Sequence, residues 1–371
     1  MNASVRCLAL IASLSVGTAV HAADPDEARL KPRWEALDAN HDGKVTLDEL
    51  GPRGIMMKRA DSDGDGAISL AEYVAFDHDP AGAARLPVPE NVRIVADLPY
   101  AATSDPRQTL DVYVPKKPSV KGPLPVVAYI HGGGWSTGHK IMARAQVMNL
   151  VSSGRYAAVS IGYRLSWQAP WPAQIHDVKA GIRWIRANAG KYGFDPKRIC
   201  AMGPSAGGHL VAELGTTNGE PAAEGKVGTN LRQSSKVQCV IDMMGPTDLR
   251  SREGSGTGGG DGAVVPLLGG KASDKAQLAA DASPVTHVDR TDPPFLIIHG
   301  TKDPVVNFQQ SVALDKALRE AGVPVIFVPV EGGGHGDFGA ATAQLEPLVR
   351  AFLEKTFYDP SVKVPADPLH R

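Results

Sequence analysis

From Val92 onward the chain alternates short, almost wholly apolar runs with stretches of helical pattern, and this alternation restricts the fold more than any other feature. The runs cover residues 92–95, 110–114, 126–130, 157–161, 198–202, 237–241, 295–298 and 325–328. Strands that are apolar on both sides must be covered on both sides, the condition of a mainly parallel sheet flanked by helices. Residues 174–187 and 308–320 carry the helical pattern between runs. No helix separates the first two runs, which predicts an antiparallel edge. The expected fold is α/β, a mostly parallel eight-stranded sheet with helices on both faces. A stretch rich in Gly and Ser, 254–260, followed by 266–269, breaks the alternation and predicts either an inserted lid or loop over 246–290 or a disordered surface excursion there.

A length of 371 residues suits one large domain with a small companion. Lys and Arg number 39 against 40 Asp and Glu, for a net charge of -1. That balance offers no basic excess for phosphates or an anionic membrane, so a nucleic-acid partner is not expected. Residues 1–22 combine Arg6, a short apolar run and small residues around Ala22 and Ala23, the pattern of an export signal. The run is too short for a stable membrane span. A secreted or periplasmic protein beginning near Asp24 is therefore expected. An acidic segment follows at 24–79, then a linker of Pro and small residues at 80–90, the main domain at 91–358 and a tail at 359–371. Cys7 leaves with the signal. Cys200 and Cys239 lie on apolar runs and read as small buried hydrophobes, with a disulfide as the open alternative.

Gly203-Pro204-Ser205-Ala206-Gly207 stands between an apolar run and a helical stretch. That is the strand-turn-helix context of a nucleophile elbow, in which only small residues fit two positions either side of the serine. A serine hydroxyl needs a base to take its proton and an acid to orient that base. His335, in the glycine-rich segment after the last run, is the candidate base, and Asp303, just after the run 295–298, the candidate acid. Asp242, Asp248 and Asp337 remain rival acids, while Asp177 reads as structural. Among the eleven histidines, His131, His209 and His299 flank motifs and are expected to hold loops by hydrogen bonds. His131-Gly132-Gly133-Gly134-Trp135 follows the run 126–130 and can offer close backbone N–H groups, so Gly133, Gly134 and Ala206 are the expected oxyanion donors. A G-x-G-x-x-G match at 334–339 lacks the following strand and acidic residue of a dinucleotide site.

These residues, with Tyr163-Arg164-Leu165, residues 172–177 and His299-Gly300-Thr301-Lys302-Asp303, make 92–358 resemble the α/β-hydrolase esterases related to hormone-sensitive lipase. Within that family the likeness is to the bacterial acetyl-esterase and feruloyl-esterase-like group. The resemblance implies ester hydrolysis through an acyl-enzyme with no cofactor for the chemistry, and it carries Ser205, Asp303 and His335 over as the triad. A small-molecule or polysaccharide-linked ester is then the expected substrate. Trp135, Trp167 and Trp171 are candidate substrate-lining residues, as an aromatic wall for sugar or phenolic esters, with ordinary loop packing the open alternative. A peptidase or lipase of the same fold, or a calcium-dependent binding module on an inactive scaffold, are the alternatives.

The acidic segment holds two EF-hand-type loops. Asp38, Asn40, Asp42, Lys44, Thr46 and Glu49 occupy the liganding positions of the first, and Asp61, Asp63, Asp65, Ala67, Ser69 and Glu72 those of the second, the seventh position offering its backbone carbonyl. Gly43 and Gly66 stand at the turn position. Gly51-Pro52 interrupts the short spacer, which resembles the tandem calcium repeats of dockerin modules and extracellular calcium-binding proteins. A small helical EF-hand pair holding structural Ca2+, or docking a calcium-dependent protein partner, is expected ahead of the sheet.

Overall fold

A computed structural model describes residues 25–46, 48–50, 57–58, 60–79, 82–250 and 262–371. The export signal expected at 1–22 and the glycine-rich run at 254–260 lie outside the described residues.

The N-terminal segment forms a helical unit of its own. Helices Pro25–Glu35 and Leu70–His78 flank a ribbon of β1 (Val45–Thr46) and β2 (Ala67–Ile68). Val45 pairs with Ile68, the eighth positions of the two loops. Leu30, Trp34, Leu50, Met57 and Tyr73 close a small apolar core around that ribbon. Beyond it, Ala83 of the expected linker is buried.

The main domain is built on β3 (Val92–Pro99), β4 (Thr109–Pro115), β5 (Leu124–Ile130), β6 (Ala157–Ile161), β7 (Phe194–Pro204), β8 (Cys239–Met243), β9 (Phe295–Gly300) and β10 (Val325–Glu331). All eight predicted runs form strands. A further strand, β11, has only two residues, Leu369–His370. The order across the sheet is β11-β10-β9-β8-β7-β5-β6-β4-β3. Strand β11 comes from the segment expected to be a tail, and it pairs parallel to β10 through Val330↔Leu369. Two residues carry no periodicity, so no pattern could announce it. The first two strands pair antiparallel, as expected, and β4 also runs antiparallel to β6.

Side chains alternate across each strand, and the sequence uses both faces. Val126, Ala128, Ile130, Ile199 and Ala201 enter one apolar cluster with the helices Ala173–Ala187 and Ala206–Thr216. Val127, Tyr129, Cys200 and Met202 enter the other, with Arg144–Ser152 and Thr342–Phe357. Continuous apolar strands are thus the mark of a three-layer core. Cys200 and Cys239 share a register position on β7 and β8, and both are buried free thiols. Among the described residues no helix is long and apolar enough to cross a membrane.

Strand β5 has β6 on one side and β7 on the other, so the connections leaving its C-terminal end diverge. Such a switch point opens a crevice at the carboxyl edge of the sheet. The segments after β5 and β7, which carry the HGGGW and GPSAG sequences, meet there. Within the 246–290 insertion, helices Val264–Leu268 and Ala276–Asp281 pack down, with Leu267 and Leu268 in the core.

Candidate active site

The turn at Ser205 is as tight as the sequence requires. A Cβ on Gly203 would lie 2.6 Å from the Ile130 carbonyl oxygen, and one on Gly207 2.2 Å from the same atom. Neither position tolerates a side chain. Ser205 itself holds φ 55° and ψ -124°, a backbone that costs a non-glycine residue about 1–3 kcal/mol. Its amide donates to the Met243 carbonyl at 2.8 Å, and the helix Ala206–Thr216 starts immediately after it. Ser205 is therefore held between the strand end and a helix N-terminus, whose dipole favours negative charge.

His335 and Asp303 reach the serine from the two neighbouring crossovers. His335 Nε2 lies 3.0 Å from Ser205 Oγ, and His335 Nδ1 lies 2.7 Å from Asp303 Oδ2. The Asp303 side chain is fully buried; its Oδ1 accepts the amides of Val305 at 2.7 Å and Val306 at 2.9 Å. Oδ2 is shared with His299 Nε2 at 3.1 Å, whose Nδ1 meets Ser311 Oγ at 2.7 Å. Burial pushes the Asp303 carboxyl up, but hydrogen bonds from His299 and His335, the charge of His335 and the Val306 amide outweigh it and hold it well below the ordinary carboxylate range. An ionised Asp303 selects the His335 tautomer with the proton on Nδ1, leaving Nε2 to accept from the serine.

The rival acids are placed elsewhere. Asp337 is 67% exposed and pairs with Arg371 at 2.6 Å; Asp248 pairs with Arg250 at 2.7 Å. Asp177 is buried, bound by Arg164 and by Gln108, a structural role as expected. Asp242 is buried under the turn, where Oδ1 accepts the Gly245 amide at 2.9 Å and Oδ2 has no partner among the described residues. Burial pushes its carboxyl up to about 6, against the Gly245 amide and the nearby His299. Its proton is thus held more tightly folded than unfolded, so stability falls as pH rises from about 4 through 6, by roughly 2–3 kcal/mol. Asp242→Asn is expected to recover most of that at pH 8 and little at pH 4, measured by urea unfolding at both values.

The segment expected to supply oxyanion donors sits against the elbow: a Cβ on Gly132 would lie 3.3 Å from Ser205 Cβ. The Gly133 carbonyl accepts the amides of Ser136 and Thr137, which turns the segment back on itself, and Gly133 (φ +113°) and Gly134 (φ +56°) take conformations suited to glycine. Among the described residues none accepts a hydrogen bond from the Gly133 or Gly134 amide. His131 stacks on Tyr163 with centroids 4.2 Å apart, and Tyr163 Oη donates to the His131 carbonyl. Burial lowers His131 to about 3, so it is a neutral buttress.

Of the three tryptophans expected to line the site, two are core residues. Trp135 and Trp171 are 3% and 5% exposed and pack edge-on to His209. Trp135 Nε1 donates to His209 Nδ1 at 3.1 Å, which needs a neutral imidazole, and burial indeed lowers His209 to about 4. Trp167 is half-buried, its Nε1 donating to the Ser136 carbonyl, and it alone of the three keeps accessible surface. A hydrogen-bonding partner for an indole at that depth is invisible in sequence, because His209 lies far along the chain.

The acidic loops form a second constellation. Carboxylate oxygens of Asp61, Asp63 and Asp65 lie within 4.8 Å of one another. Gly66 holds φ +89° and Gly43 φ +84°, the turn conformation the loop needs. Glu72 accepts from the amides and hydroxyls of Ser62 and Ser69; slight burial raises its carboxyl, but those bonds bring it to about 2. In the first loop Asp38 accepts the Asp42 and Gly43 amides, and Glu49 those of Ala39 and Thr46. An all-oxygen donor set rich in carboxylates fits calcium.

The BD-FAE family model matches residues 110–318, more than half of the chain. The chain belongs to the BD-FAE family. The EF hand model matches 35–51 and 55–77 of this BD-FAE member. Esterase LipC of Mycobacterium tuberculosis is 31% identical over 256 residues, covering 68% of this chain and 63% of LipC. The chain spans about half to two thirds of the length of the curated relatives it matches. Among solved structures, a truncated carbohydrate esterase from gut microbiota superposes with TM-score 0.66 at 35% identity, covering 73% of this chain and 98% of that one. A bifunctional GH43-CE protein of Bacteroides eggerthii gives 0.63 at 35%, covering 70% of this chain and 35% of that one. The α/β-hydrolase fold and the EF-hand region expected from the sequence are both present.

Proposed function

We propose that this BD-FAE member is a serine carboxylic-ester hydrolase, and the continuous hydrogen-bonded path Ser205–His335–Asp303 carries that reading. His335 Nε2 takes the Ser205 hydroxyl proton as Oγ bonds to the ester carbonyl carbon. The carbonyl π pair moves onto oxygen, where the amides of Gly133, Gly134 and Ala206 receive it. Collapse breaks the bond to the alcohol, which leaves with the proton from His335. Water then repeats the sequence on the acyl-serine, His335 taking its proton, and the free acid departs.

The acyl group we propose is small or aromatic, acetate or ferulate, and the alcohol a plant polysaccharide. The likeness to a structure described as a carbohydrate esterase supports this, as does the half-buried Trp167 bonded to the Ser136 carbonyl just beyond the glycines. Ala263, in the 246–290 insertion, comes within 3.4 Å of a Cβ placed on Gly134, so the insertion borders the same crevice. A secreted or periplasmic location follows from the composition of residues 1–22, and there calcium would keep the loops filled as a structural ion.

The deciding experiment is a substrate panel of acetylated xylan, methyl ferulate and p-nitrophenyl esters of increasing chain length. Turnover of short-chain esters is expected, falling with chain length. Absence of turnover on every ester would sink the hydrolase reading. Gly133→Ala places a methyl 2.4 Å from the Thr137 carbonyl oxygen at a left-handed position. It is expected to lower kcat by about 10²- to 10³-fold, the cost of one misplaced oxyanion donor, in a p-nitrophenyl acetate assay.

A further inference from the structure

The expected oxyanion segment is held from outside the sheet as well as from within it. Beyond Gly134, two of its carbonyls are taken by arginines. Arg33, on the helix Pro25–Glu35 that enters the first acidic loop, donates from Nη1 to the Ser136 carbonyl at 2.5 Å. Its guanidinium also lies 5.6 Å from the Trp167 ring centroid, and Trp167 binds that same carbonyl. Arg107, just ahead of β4 and 4% exposed, donates from Nη1 to the Gly138 carbonyl and from Nη2 to Asp77 Oδ2. Asp77 sits on the helix Leu70–His78, and it is buried too.

Both contacts run straight back to the loops. Asp38, the first position of loop one, follows the helix of Arg33. Glu72, the last position of loop two, lies in the first turn of the helix that ends near Asp77, capped by Ser69. The other end of the path is equally constrained. A Cβ on Gly138 would meet the Gly132 carbonyl oxygen at 2.3 Å and His131 Nδ1 at 2.5 Å, so Gly138 lies flat on the residues that precede Gly133. Each helix thus lies one or two side chains away from the segment that carries Gly133 and Gly134.

We propose that the EF-hand pair is a positioning element for the oxyanion segment, with Arg33 and the Asp77–Arg107 pair as the positioning residues, so that calcium in the loops sets the alignment of Gly133 and Gly134. The proposal rests on the hydrolase reading for its effect on rate, but not for the coupling itself. Calcium binding at Glu72 and Asp38 orders the two helices; the arginines then fix the carbonyls of Ser136 and Gly138. Without the ion the helices loosen, and the two amides lose their fixed position relative to Ser205.

The test follows hydrogen exchange of residues 131–138 in the full chain with calcium and with chelator, alongside calorimetric calcium titration. Calcium is expected to bind and to slow exchange in this segment by at least several-fold in the wild type. Arg33→Gln and Asp77→Asn should still bind calcium while losing that protection; Arg33→Gln, on a half-buried side chain, keeps the test alive if Asp77→Asn fails to fold. With p-nitrophenyl acetate, chelation should lower wild-type kcat by about 10- to 100-fold with KM little changed, as a displaced donor pair would. The same treatment should add little to Asp77→Asn, because both act on one path. Arg107→Lys, which retains the charge and loses the fork that spans Asp77 and Gly138, should behave like Asp77→Asn. No calcium binding, or calcium-independent exchange at 131–138 in the wild type, would overturn the coupling. An enzyme inactive on all esters that still shows calcium-dependent exchange would refute the hydrolase reading and leave the coupling standing.

Discussion

Ser205→Ala is expected to lower kcat for p-nitrophenyl acetate by about 10⁵- to 10⁶-fold while leaving the fold intact. Removal of Oγ leaves His335 Nε2 without its partner at 3.0 Å, and Ser205 is the one hydroxyl in the 203–207 turn. Because nucleophile and base act as a unit, His335→Ala should cost nearly as much, and the double variant little more than either alone. A variant retaining a tenth of wild-type activity would show that the hydrolysis arises elsewhere. Stability should change little, since the φ of 55° strains alanine as it strains serine. Circular dichroism and thermal unfolding check that the loss is chemical.

The second large effect is expected from Asp303→Asn, with kcat falling about 10⁴-fold. The backbone decides which way the new amide turns. Val305 and Val306 both donate to Oδ1, so the asparagine oxygen must stay there and its NH₂ must occupy the Oδ2 position. That NH₂ faces His335 Nδ1 and His299 Nε2. His335 can then accept at Nδ1 only by carrying its proton on Nε2, where it cannot take the serine proton. Asp303→Ala removes the acid without imposing the wrong tautomer, and it should be the less damaged variant at high pH. Equal losses for both at every pH would mean that orientation of the ring, not its tautomer, is what Asp303 supplies. The stability consequence has the opposite sign to that of Asp242. The folded carboxyl of Asp303 lies below its unfolded value, so its contribution is present above about pH 4 and is lost as pH falls toward the folded value.

Much of this was legible along the chain because the chemistry constrains local spacing. Gly203 and Gly207 are forced by the contact of the elbow with Ile130, a clash that any side chain would create. Asp303 and His335 follow β9 and β10, so the carboxyl edge of a parallel sheet delivers them to the same end as Ser205. The acidic loops are likewise local, since about twelve consecutive residues must wrap one ion. What the spacing left open were the partners of side chains that meet across the sheet. Trp135 and Trp171 follow strands at the active edge, yet His209 draws them into the core. Asp242 stood as a rival acid until its burial beneath Gly208 and Gly245 set it apart.

By itself, then, the sequence determined the three-layer sheet, the tight turn at Ser205 with Asp303 and His335 after the following strands, and the two acidic loops, because each rests on a periodicity or a turn that neighbouring residues define. Only the tertiary structure decided that Leu369–His370 extends the sheet, that Trp167 alone of the three tryptophans is half-buried rather than buried, and that Arg33 and Arg107, the latter held by Asp77, reach the segment beside Ser205. Arg33 meets Ser136 across 103 positions of chain, and Arg107 meets Asp77 across 30. The energies of such contacts depend on burial and on which donors face which carbonyls, quantities that exist only once the chain has closed on itself.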